Sequence, residues 1–216
     1  KQDTLNQIFT RKIVVILRGY PTDLLLPTVD ALFSAGIRLF EIPFPAEGKE
    51  EAQTQILHQI QALSERYGGE ALLGAGTVLE PCQAEAAAQA GARFLLSPDC
   101  NPDVIRRTAA LGLVSIPGVM TPTEAQLAHR SGADIIKVFP AVTLGPVYFR
   151  QMAGPLPHLR LMAVGGVNPA NAMDFLRAGA TSVGIGSALI SRQQLADRDF
   201  AGISADARAL IQTISE

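Results

Sequence analysis

Five short segments of this chain repeat one design, and that repeat limits the fold more than any other feature. They read SAGIRLF (34–40), QAGARFL (89–95), ALGLVSI (110–116), RSGADII (130–136) and RAGATSV (177–183). Each sets a glycine after a helix-patterned stretch and just before an apolar, β-rich run. Glycine there can take the left-handed conformation that stops a helix, and the chain then turns directly into a strand. Eight β-rich runs are spread along the chain: KIVVILR (12–18), RLFEIPF (38–44), ALLGAGTV (71–78), RFLLS (93–97), LVSIPG (113–118), DIIKVFP (134–140), RLMAVGG (160–166) and SVGIGSAL (182–189). Strands that alternate with helices imply a parallel sheet with helical crossovers. Near-continuous apolar strands suit a sheet covered on both faces.

A closed (β/α)8 barrel is therefore the expected α/β architecture, as a single domain over 1–216. An open doubly wound sheet is the alternative, but no GxGxxG follows the first strand, where that fold usually carries one. Helix starts are expected at Thr22, at Thr121 or Thr123 with Pro122 near the first turn, and at Asn168 with Pro169. DTLNQIFT is expected to form a short extra N-terminal helix over the bottom of the barrel. ISADARALIQTISE is expected to close the fold as an amphipathic helix.

Composition narrows the function. The net charge of −2 argues against a nucleic-acid surface, which normally carries a basic excess. No stretch reaches the ~18 uninterrupted apolar residues of a membrane span, and the first residues show no charged-then-apolar leader pattern. Cys82 and Cys100 lack a metal-ligand spacing and are expected as reduced thiols in a cytoplasmic protein. His58, His129 and His158 form no metal-binding pattern. Neither GxSxG nor a P-loop occurs.

In a barrel the active site lies at the C-terminal ends of the strands. The polar residues there are Arg18, Glu41, Thr77, Ser97, Lys137 and Ser187. Lys137 carries the strongest signal. The chain has only four lysines, Lys1, Lys12, Lys49 and Lys137, and only Lys137 sits inside an apolar strand, between Ile136 and Val138. A lysine facing water is ordinary on a sheet edge, but a barrel has no edge. Burial disfavours the ammonium, and the neutral amine is the form that attacks a carbonyl. Glu41 interrupts Phe40 and Ile42 in the same way. It fits either a structural ion pair to Arg18 or Lys137, or a proton shuttle with a raised pKa. Gly165-Gly166 and Gly184-Ile185-Gly186-Ser187 follow the last two strands, where barrels often bind phosphate through backbone N–H groups and a short helix. SALI after Gly186 is expected to supply that helix.

These segments together resemble the 2-keto-3-deoxy-6-phosphogluconate and 2-keto-3-deoxy-6-phosphogalactonate aldolases. The resemblance runs from ILRG (16–19) through FEIPF, LLGAGTVL, LSPDCN, SIPGVMTPTE, IIKVFPA and AVGGVNPAN to GIGSALI (184–190). It implies a class I mechanism with an imine at Lys137 and proton transfer by Glu41 through a water. Thr77 and Arg18 would hold the keto-acid carboxylate, Pro98 and Phe139 would wall the pocket, and Gly165, Gly166, Gly186 and Ser187 would bind phosphate. The products would be pyruvate and D-glyceraldehyde 3-phosphate. The resemblance further implies a homotrimer and no metal or other cofactor.

Two departures point to the galactonate branch. Many phosphogluconate-type members carry an arginine shortly after the strand-2 glutamate, whereas this chain continues Ile42-Pro43-Phe44-Pro45. Arg18 is the natural replacement. Those members also commonly have threonine where this chain has Val164, which is expected to lie close to the C4 hydroxyl of the substrate. The alternatives are an aldolase for the gluconate epimer or for 4-hydroxy-2-oxoglutarate, another phosphate-binding barrel enzyme, and a non-catalytic phosphosugar-binding protein.

Overall fold

The structure, a computed structural model, describes residues 1–45 and 50–215. Its strands are β1 (Ile13–Ile16), β2 (Leu39–Pro43), β3 (Leu72–Gly76), β4 (Phe94–Leu96), β5 (Val114–Ile116), β6 (Gly118–Val119), β7 (Ile136–Val138), β8 (Leu161–Val164) and β9 (Ala180–Ile185). All pairings are parallel, in the order β5-β4-β3-β2-β1-β9-β8-β7-β6. The sequence reading expects one strand where β5 and β6 stand. Pro117 divides it, because proline has no N–H to give to a ladder. The Ile116 carbonyl accepts from Ser97 N on one side, and the Pro117 carbonyl accepts from Lys137 N on the other. The two pieces thus serve as one strand, and the sheet is a ring of eight.

Helices α1 (Gln2–Arg11), α2 (Thr22–Ala35), α3 (Glu50–Tyr67), α4 (Pro81–Gln89), α5 (Pro102–Ala110), α6 (Pro122–Arg130), α7 (Ala141–Ala153), α8 (Ala172–Arg177), α9 (Arg192–Ala196) and α10 (Phe200–Ser215) complete the chain. Gly36, Gly91, Gly112, Gly132 and Gly179 all have positive φ, between 73° and 111°, so the repeated helix-stop operates at every one of its five positions. Thr121 caps α6 in a reciprocal box with Glu124, as its sequence suggests. Three local expectations change. Thr22 is the first residue of α2 rather than its cap, and its hydroxyl accepts from Gln55 and Gln59. Asn168 accepts from the backbone of Ala170 and Asn171, but α8 itself starts after Asn171. Ser187–Leu189 make a turn rather than a helix, and β9 ends at Ile185.

Strand alternation builds two cores. Outward-facing residues such as Val15, Phe40, Ile42, Leu73, Val138 and Ala163 pack under the helices. Inward-facing Val14, Leu39, Leu72, Phe94, Ile116, Ile135 and Met162 fill the bore. Leu5 and Ile8 of α1 join this inner cluster and plug its N-terminal mouth. At the other end of the chain, Ile203, Ala207 and Leu210 of α10 are buried.

The bore is filled by pairing large residues with absent ones. A Cβ on Gly74 would lie 2.2 Å from the Phe94 ring, so glycine is what lets a fully buried phenylalanine cross the barrel. Gly74→Ala should therefore cost about 1–3 kcal/mol through overpacking. Gly186→Ala, whose nearest neighbouring atom would be 3.7 Å away, should change stability by less than about 0.5 kcal/mol. Equilibrium unfolding in urea measures both; equal midpoints would contradict this packing.

Candidate active site

Parallel strands in a barrel are staggered, so inward side chains from alternate strands form layers. The strand registers put Glu41 of β2, Leu96 of β4, Lys137 of β7 and Gly184 of β9 in one layer. The next layer toward the C-terminal ends holds Ile16, Gly76, Gly118 and Val164. Two of those four, Gly76 and Gly118, lack a side chain. A Cβ on Gly76 would fall 1.2 Å from Glu41 Oε1, so the carboxylate occupies space that glycine leaves. On Gly118 a Cβ would meet the Pro98 carbonyl at 2.4 Å.

Lys137 and Glu41 are only 7% and 3% exposed. Neither takes part in the ion pairs found among the described residues. The structural ion pair that the sequence allowed for Glu41 is thus not formed. Its Oε2 is buried without a hydrogen-bond partner among the described residues. Burial pushes the Glu41 carboxyl up to about 7, against the opposing pull of Lys137 and then Arg18. Burial likewise holds the Lys137 amine below the ordinary lysine range, while Glu41 draws it back up. Two charges that would neutralise each other in contact are held apart in a poorly solvated bore. Each is left closer to its neutral form.

The other expected residues gather around this pair. Arg18 Nη2 donates to Thr77 Oγ1 at 3.2 Å. Thr77 has φ +56°, a left-handed conformation rarely taken by a β-branched residue. Its neighbours are tied down, with Val78 N donating to the Leu96 carbonyl and Ser97 Oγ donating to that of Val78. Ser97 therefore braces a loop, and Pro98 follows it at the rim. The face of Phe139 lies 4.6 Å from Lys137 Nζ, measured to the ring centroid. Val164 is buried at the end of β8 and packs where a Gly184 side chain would stand. Gly165 and Gly166 have φ of 92° and 75°. Val142 N donates to the Gly165 carbonyl, and Asn171 Nδ2 to that of Gly166. Ser187 is exposed at the adjacent strand end.

The sequence reading does not single out Gly76, Gly118 or Asp99. The first two make room for the site, and the alternation Leu72, Gly74, Gly76 along one strand face carries that signal. Asp99 is exposed beside the site, and its charge acts weakly on Lys137. A groove of about 570 Å³ between α2 and α3, lined by Leu25, Leu26, His58 and Leu63 among others, lies in the helical layer instead. Among the described residues no group of three or more His, Cys, Asp or Glu side chains is arranged to hold a metal ion, and no helix is long and apolar enough to cross a membrane.

Residues 5–205 match the family model described as KDPG and KHG aldolase. The chain is 37% identical over 187 residues to 2-dehydro-3-deoxy-6-phosphogalactonate aldolase of Escherichia coli strain K12, covering 86% of this chain and 88% of that one. Among solved structures it is similar to a native KDPGal structure, with a TM-score of 0.83, 34% identity and 94% of each chain covered. A KDPG aldolase from Legionella pneumophila, solved with pyruvate captured as a covalent carbinolamine intermediate, superposes with a TM-score of 0.83 at 25% identity, over 94% of this chain and 96% of that one.

The raised Glu41 pKa makes stability depend on pH. The acid form costs nothing extra to bury, so its contribution is fully present below the unfolded value of 4.5. It is lost as pH rises through about 7, where the folded state must bury a charge. Glu41→Gln removes that cost and should be more stable than wild type at pH 8 by on the order of 3 kcal/mol. At pH 4 the difference should vanish. Unfolding curves at the two pH values test this, and a variant less stable at pH 8 would refute it.

Proposed function

The chain belongs to the KDPG and KHG aldolase family, and on that premise we propose that it is a class I aldolase for 2-keto-3-deoxy-6-phosphogalactonate, releasing pyruvate and D-glyceraldehyde 3-phosphate. The observation that carries the mechanism is the buried Lys137 amine, in no ion pair among the described residues, sharing one layer of the barrel with the buried, protonatable Glu41. Neutral Lys137 adds to the C2 carbonyl. The carbinolamine takes up a proton and loses water, leaving an iminium. Glu41, acting through a water, accepts the C4 hydroxyl proton. The C3–C4 bond breaks, its electron pair moves toward the iminium as an enamine, and the aldehyde departs. The same carboxyl returns a proton to C3, and water releases pyruvate and the free amine. A group titrating near neutrality can both accept and donate in one cycle. Electrons are redistributed within the substrate, so the scheme calls for no redox cofactor.

Arg18 and Thr77 hold the carboxylate in this reading, Pro98 and Phe139 wall the pocket, and Gly165, Gly166, Gly186 and Ser187 hold the phosphate. Val164 supports the galactonate epimer, because it meets the C4 region with a methyl where threonine would offer a hydroxyl. The enzyme is taken as a cytoplasmic homotrimer.

Pyruvate with borohydride should leave a reduced pyruvyl group on Lys137, detected by peptide mass spectrometry. Labelling at another lysine would refute the mechanism. For the substrate, kcat/KM is compared on the two C4 epimers. Wild type should prefer the galactonate epimer, and Val164→Thr should move the ratio toward the gluconate epimer by a few-fold to about tenfold. A ratio unmoved by the substitution would remove Val164 as the selector.

A further inference from the structure

Lys137 meets one side chain whose part in the chemistry is more than shape. Phe139 follows β7 directly, in the turn after Val138, and its ring lies beneath the Lys137 amine. Its backbone N donates to the Val119 carbonyl at 3.0 Å, which anchors it to the neighbouring strand. The ring is also held from the side. A Cβ on Gly165 would stand 3.0 Å from Phe139 Cδ2 and 3.1 Å from Cε2, and 3.0 Å from Pro140 Cα. The bare Gly165 backbone therefore abuts one edge of the ring. Any side chain there would push the ring away. With the ring so set, its face lies 4.6 Å from Lys137 Nζ, well within the ~6 Å over which a cation is attracted to an aromatic face. Leucine or methionine would wall the pocket as well, but only an aromatic ring offers this electron-rich face.

We propose that Phe139 is the electrostatic partner of the iminium, its π face stabilising the positive charge that persists on the Lys137 nitrogen once water has left the carbinolamine. The charged group that should complement Lys137 directly, Glu41, is not in contact with it, and the role of that carboxyl is to move protons. A neutral, non-basic partner suits the nitrogen better. It favours the iminium without offering a base for its proton, and it holds the resting ammonium less tightly than a carboxylate in contact would, so the free amine stays accessible for attack. Gly165 gives the ring a second connection: the same glycine that sets the ring edge belongs to the loop expected to hold phosphate. The proposal rests on imine formation at Lys137.

Phenylalanine analogues with one, two and three ring fluorines placed at position 139 test it, because fluorine weakens the π face while leaving the shape nearly unchanged. Each added fluorine should lower both kcat and the rate of borohydride trapping with pyruvate. The trifluoro ring should lose about threefold to thirtyfold, with KM little changed. Phe139→Leu should lose at least as much. If Phe139→Leu is impaired but the fluorinated series matches wild type, the ring is only a wall and the proposal falls. If every variant matches wild type, it falls as well. Wild-type trapping at Lys137 is read in the same experiment. Its absence would overturn the imine mechanism itself, a result distinct from trapping that is present but indifferent to fluorine.

Discussion

Everything in this structure depends on how a closed ring of parallel strands shares out its interior volume. A ring has no edge to which a misfit can be exported, so each inward side chain must be matched by room elsewhere in the bore. Below, the matching is apolar: Gly74 yields to Phe94, and α1 fills the mouth with Leu5 and Ile8. Above, the same rule is used to leave space. Gly76 leaves room for the Glu41 carboxylate, and Gly118 for the close approach of the Ser97 and Pro98 backbone.

The volume rule also sets the electrostatics. Lys137 and Glu41 are brought into one layer from strands on opposite sides of the ring, so they share an environment without making contact. Contact would yield a stable pair with ordinary charge states, useless for attack on a carbonyl. Separation leaves desolvation as the leading influence on both groups. The carboxyl then titrates near neutrality, and the amine is biased toward its nucleophilic form. Arg18 adds a third charge that favours deprotonation of both groups: it works against burial at Glu41 and together with burial at Lys137.

Much of this was legible in the chain. The five glycine stops were visible because helix termination is a local event, decided by one residue and its φ. Lys137 and Glu41 were visible because a charge inside an apolar strand has few reasons to be there. What escaped was non-local. Pro117 splits a strand whose apolar run looks continuous, and the split shows only where each half finds its partner. Thr22 looks like a cap but serves α3, through Gln55 and Gln59, thirty-three and thirty-seven residues away. SALI looks helical, yet it is only a turn after β9. Gly76 reads as an ordinary strand glycine until the register sets it beside Glu41. The missing ion pair follows the same logic, since sequence can bring two charges to one face but cannot say whether they touch.

The two ends of the proposed substrate are both anions, and under the roles proposed above each would meet different chemistry, which would fix the direction of binding. Near β1 and β3 the carboxylate would meet the Arg18 guanidinium, which is bonded to Thr77 and is a planar fork suited to a carboxylate. Beyond β8 and β9 the phosphate would meet glycine backbone, whose N–H groups suit its several oxygens. A substrate turned end for end would forgo both matches. Only one orientation puts C2 at Lys137 with the remaining carbons running toward Gly165. Val164, directly before that glycine and directly above the lysine layer, then borders the stretch between the imine carbon and the phosphate. A change there would then alter which hydroxyl configuration is favoured without touching the charged groups at either end. On that proposal, epimer choice and bond cleavage would be separable properties of neighbouring strands.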